Sequence, residues 1–160
     1  MLVFGEKSNM PLYGAAIMGL LTIEFLDGSD LDILGYWEGS DPATGVGWGH
    51  TSQVTSDGLV ARWGGDNTTG GPEYVRIGTL NEREEGRSED YRFKLHFNWY
   101  RVGDGHAGRG ARVVAKDCWN TIMECVSAAS HRQGQKASVD DPGVVVTLSP
   151  KGRLISIDAF

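Results

Sequence analysis

The chain has 160 residues and a mass of 17.4 kDa, the size of one domain, and is long enough to bury a core without staples. With 40% hydrophobic residues and a net charge of −6, it reads as a globular protein whose surface repels phosphate backbones, so nucleic acid is a poor partner and cations or neutral ligands suit it better. Its 23 glycines are about twice the ordinary ~7% share. They follow no G-X-Y period and alternate with short runs of β-branched and aromatic residues, which excludes a collagen or a disordered repeat and points to a sheet-rich fold with many tight turns.

Leu12 to Leu21 is apolar, but ten residues cannot span a bilayer, which takes about 20, and the run passes directly into Thr22-Ile23-Glu24-Phe25. It is read as a buried strand with its lead-in, no membrane span is expected, and the compartment stays open. Gly19 to Leu26 is the first predicted strand, closed by the turn pair Asp27-Gly28. Leu31 to Trp37 alternates and holds Asp32 on the side away from Leu31 and Ile33. Aspartate is disfavoured inside a strand, so a compensating partner is expected there. After the loop Gly39–Gly47, short strands are predicted at Val46–His50, Gly58–Trp63 and Glu73–Ile77, the last preceded by the polar loop Gly64–Pro72. Asn81 to Asp90 reads as a charged, solvated turn.

Tyr91 to Val102 is the clearest amphipathic strand. Tyr91, Phe93, Leu95, Phe97 and Trp99 share one face, while Arg92, Lys94, His96, Asn98 and Tyr100 share a face expected to be wet. Gly103 to Gly110 reads as a hairpin loop, with a strand at Ala111–Ala115 after it. The stretch 117–131 is open between strand and a short helix, since Trp119, Ile122, Met123 and Val126 also fit helical spacing. Val144–Leu148 and Arg153–Ile157 flank Ser149-Pro150-Lys151-Gly152 as a terminal hairpin. The sum is an all-β single domain over 1–160: about nine short strands in an antiparallel, jelly-roll-like β-sandwich, with a closed barrel as the alternative. Cys118 and Cys125 cannot build a zinc site alone; they form one disulfide or stay as buried thiols.

Two acidic segments carry the chemistry. Asp30-Leu31-Asp32-Ile33 places two carboxylates two residues apart on one strand, and Gly65-Asp66-Asn67-Thr68-Thr69-Gly70 leads into Glu73. Calcium needs six to eight oxygens from carboxylates, amides, main chain and water, and glycines let a loop fold tightly enough to turn carbonyls inward. As a plain alternative, the loop is an ordinary Asx-rich turn. This order of motifs over residues 20–77 resembles the calcium-binding β-sandwich domains of the tellurium-resistance and stress-protein family. The Gly71-Pro72-Glu73 ending is also similar to small bacterial extracytoplasmic sandwich domains. The resemblance implies Asp30, Asp32, Asp66, Asn67 and Glu73 as calcium ligands. The leading expectation is a non-enzymatic calcium-binding module in which the metal ties the Asp30–Asp32 strand to the Asp66–Glu73 loop, the module mediating binding or assembly.

Other readings stay beside this one. His50, His96, His106 and His131 lack metal-ligand spacing, and no nucleophile motif is present, so no enzyme is expected. Trp37 and Trp48, beside glycine-rich loops, could be exposed platforms of a calcium-dependent carbohydrate-binding module, with a glycan as partner. Trp99 and Trp63 fit a core. A virion or filament subunit, with a protein partner or a second copy of the chain, is the third reading.

Overall fold

The computed structural model describes residues 16–26, 30–66, 72–80, 88–101, 110–132 and 134–160. They form two packed antiparallel sheets, a β-sandwich. The strands are β1 (Ala16–Phe25), β2 (Asp30–Trp37), β3 (Val46–Gly47), β4 (Ser52–Val54), β5 (Leu59–Trp63) and β6 (Glu73–Thr79), followed by β7 (Tyr91–Arg101), β8 (Ala111–Asp117), β9 (Ile122–Ser127), β10 (Gly143–Leu148) and β11 (Leu154–Ala159). One sheet has the order β4-β5-β6-β1-β8-β9 and the other β11-β10-β7-β2-β3.

Alternation builds the core. From the six-stranded sheet, Leu21, Ile23, Val75, Ile77 and Val113 turn inward; from the other, Leu31, Ile33, Phe93, Leu95, Phe97 and Val146 do the same. The inward face of β7 is the predicted one, with Tyr91, Phe93, Leu95, Phe97 and Trp99 all buried. Register is firm because a one-residue slip would carry Arg92 and Lys94 into that core.

The described residues hold eleven strands where the pattern predicts about nine, the additions being β4 and β9. Of the two readings open for 117–131, the structure takes strand: β8 ends at Asp117 and β9 covers Ile122–Ser127. Asp117 caps the β8–β9 turn by accepting from Trp119 N (2.9 Å) and Thr121 N (2.8 Å), and Asn120 takes a φ of 63° there. Residues 122–127 then pair with β8, which outweighs any local helical spacing. Contrary to expectation, the outer face of β7 is not wet along its length. The segment between β9 and β10 crosses it, burying His96 and Asn98. Asn98 Nδ2 donates to the carbonyls of Arg132 and Gln135, and Ser130 bridges to Asn98. Asp141, itself buried, fastens that segment by a double hydrogen bond from Arg132 and another from Ser138 N.

No disulfide joins Cys118 and Cys125; both are half-buried thiols, and Cys118 Sγ donates to the Ile17 carbonyl. Among the described residues no helix is long and apolar enough to cross a membrane. Residues 12–15, most of the 81–90 turn and most of the 103–110 loop lie outside the described residues.

Candidate functional site

Four segments meet where β2 begins. Its first residues bring Asp30, Leu31 and Asp32, the loop after β5 brings Asp66, the end of β7 brings Tyr100, and the segment before β10 brings Gly134 and Lys136. With Trp48 they line a cleft of about 390 Å³.

Local rules place each side chain. Asp30 pairs with Arg101 but Leu31 with Trp99, so Tyr100 is the extra residue of a β-bulge. A bulge re-aims its side chain, and Tyr100 stands 59% exposed at the cleft. Trp48 sits at the tip of a two-residue turn closed by paired hydrogen bonds between Gly47 and His50. Gly49 supplies the left-handed φ of 89° that this turn requires. Gly47 lies so close to the Ile33 carbonyl that a side chain there would clash, which pins β3 and the turn against β2. Trp48 is therefore held out, 61% exposed, with Lys136 Nζ 5.0 Å from its ring centroid.

Asp32 Oδ2 accepts from Ala137 N at 2.8 Å, the compensating partner that a mid-strand aspartate requires. Burial pushes its carboxyl above the ordinary range, and the charges of Asp66 and Asp141 push the same way. The Ala137 N–H and the Lys136 ammonium oppose the shift. Asp30 is buried against the cleft floor and Asp66 is exposed at its rim. Among the described residues the site is thus an acidic hollow with one cation, Lys136, and two aromatic side chains, Trp48 and Tyr100.

Three of the five residues implied as calcium ligands come together here: Asp30, Asp32 and Asp66. Glu73 does not line the cleft. It occupies an inward-facing position of β6, in step with Val75 and Ile77, and accepts from Trp63 Nε1 at 2.9 Å. Asn67 lies outside the described residues. Among the described residues, no group of three His, Cys, Asp or Glu side chains converges closely enough to hold a metal ion.

The aromatic pair is also corrected. Trp37 is fully buried, stacked edge-on against Phe93 and donating from Nε1 to the Val60 carbonyl at 2.9 Å, so it offers no platform. Its place at the end of a strand beside a glycine-rich loop suggested exposure, but it turns inward under β5. Tyr100 takes its place beside Trp48. Sequence alternation put Tyr100 on the outer face of its strand without marking it, because a bulge leaves no local signature. Lys136 and Gly134 were not singled out either; they reach the site only because their segment folds across β7.

No family model, curated protein or solved structure matches the chain.

Proposed function

We propose that the protein is a binding module, not a catalyst, and that its ligand is a neutral glycan held in the cleft between Trp48, Tyr100, Asp32 and Lys136. The observation that carries this reading is the pair of aromatic rings, each more than half exposed, flanking carboxylates in one hollow. Large aromatic faces left in water are costly unless a ligand covers them, and the apolar face of a sugar ring is a good cover. Carboxylate oxygens accept from sugar hydroxyls and the lysine donates to them, so the polar groups complement a polyol. A cleft volume near 390 Å³ falls within the range of about 300–1,000 Å³ usual for small-ligand sites. The acidic lining and the net charge of −6 speak against phosphate-bearing ligands. The test is a screen of immobilised neutral glycans followed by calorimetric titration of any hit. Trp48→Ala should abolish binding while leaving the thermal melt unchanged. No binding to any neutral glycan overturns the reading.

Calcium is the second reading, favoured by one observation: Asp30, Asp32 and Asp66 line the same cleft, and the charge of Asp66 adds to the upward push on the Asp32 carboxyl, a repulsion that a bound cation would relieve. Asn67, next to Asp66, is the further oxygen donor this reading would use. Its test is the metal dependence of the melting temperature.

A further inference from the structure

The cleft has a neighbour. A second hollow of about 470 Å³ lies along β2 toward β3, lined on its apolar side by Pro42, Ala43, Val46 and Val139 and on its polar side by His50 and Ser138. Asp32, Trp48 and Lys136 line both hollows. These three groups therefore belong to both hollows, and Trp48, well exposed, stands where the two adjoin. A pocket that encloses one small ligand buries its aromatic lining, whereas here Trp48 and Tyr100 stay more than half exposed and Val139 nearly half. The site is open along its top.

From this continuity we infer that the site is a groove for a linear glycan of at least three sugar units, one seated in each hollow and one crossing Trp48. The inference rests on the glycan reading above and adds the length of the ligand. Each hollow repeats the same chemistry, an apolar patch next to hydrogen-bonding groups: Tyr100 with Asp66 in the first, Pro42 and Val139 with Ser138 and His50 in the second. A homopolymer of sugars presents an apolar ring face and a hydroxyl edge at every unit, so it matches a repeated lining that a single sugar would use only once. Linking contacts along one chain makes the later ones intramolecular, so affinity should climb with chain length until the groove is full.

The experiment is a calorimetric series with neutral oligosaccharides of one to six units, run separately for β-1,4-glucan, β-1,3-glucan, xylan, mannan and α-1,4-glucan fragments. The expected result is a gain in affinity of at least ~10-fold between two and four units of one series, then a plateau. Ala43→Trp, on an exposed 3-10 turn, fills the second hollow and should erase that gain while leaving disaccharide affinity intact. Val139→Glu, also on an exposed residue, is the second blocking variant should the first fail to fold. Trp48→Ala should abolish binding at every length. Equal affinity from disaccharide to hexasaccharide overturns the groove and leaves the glycan reading standing. An unchanged length dependence in both blocking variants also overturns it. No binding at any length in any series overturns both.

Discussion

Asp117 offers the sharpest test of the packing argument. It is almost fully buried at the end of β8, and its carboxylate serves three backbone donors: Trp119 N and Thr121 N on Oδ1, and Leu154 N on Oδ2 at 2.7 Å. One side chain thus closes the β8–β9 turn and ties it to β11 in the opposite sheet. Removing it in Asp117→Ala strands the buried Leu154 N–H, which costs about 1–3 kcal/mol. The two turn N–H groups are only partly buried, can turn to water, and add about 0.5–1 kcal/mol each. The expected loss is about 2–5 kcal/mol, a large share of a typical ~5–15 kcal/mol total. With a urea slope of about 2 kcal/mol/M, the midpoint should fall by roughly 1–2.5 M. The discriminating variant is Asp117→Asn. It is isosteric, but it replaces one acceptor oxygen by an NH₂ donor, and every available position for that donor faces a backbone N–H. It should therefore be no more stable than Asp117→Ala. Equilibrium urea unfolding followed by tryptophan fluorescence measures both. An Asn variant within about 0.5 kcal/mol of the parent would refute the three-acceptor account.

The remaining predictions follow from burial, charge and the cleft. Phe97→Ala, at a fully buried position where β7 pairs with Ile33 of β2, should cost about 3–5 kcal/mol, and Lys94→Ala well under 1 kcal/mol; equal tolerance in urea melts would contradict the register. His96 is buried, held by Tyr36 Oη at Nε2 and the Asp141 carbonyl at Nδ1, and burial and Lys94 depress its pKa below the ordinary 6.5 against the opposing pull of the Asp141 carbonyl bond and of the Asp141 and Asp140 charges. The unfolded chain then takes a proton that the folded chain refuses. Its stabilisation is present in full above pH 6.5 and declines as pH falls below it, by no more than ~1.4 kcal/mol per unit. His96→Gln should flatten the fall of the melting temperature as pH drops below 6.5, and an unaltered slope would contradict this. If calcium binds the cleft, millimolar calcium should raise the melting temperature and EDTA lower it. That shift would correspond to about 2.7 kcal/mol at 100-fold over Kd and should vanish in Asp32→Ala. A melting temperature indifferent to both removes that reading.

The strand pattern was legible in the chain because a half-buried strand writes its environment at a period of two. Five large apolar residues at alternate positions from Tyr91 to Trp99 leave one register that hides them, and the structure adopts it. Asp30, Asp32 and Asp66 were legible as a group because turn-rich acidic segments sit at strand termini, and the start of β2 and the loop after β5 meet at one cleft. What local pattern could not state was set by contacts distant in sequence. Trp37 and Trp48 both stand beside glycine-rich loops, yet one is sealed under β5 while the other crowns a turn pinned at Gly47. Glu73 belongs to the acidic motif by sequence and to the Trp63 indole by packing. His96 and Asn98 lie on the polar face of β7, but the segment from Ser130 to Asp141 folds over them and in doing so delivers Lys136 to the cleft. Periodicity reports which face of a strand is apolar; which loop crosses the other face, and which residue a bulge turns outward, depends on backbone pairing between segments tens of residues apart, and only the assembled sheets determine it.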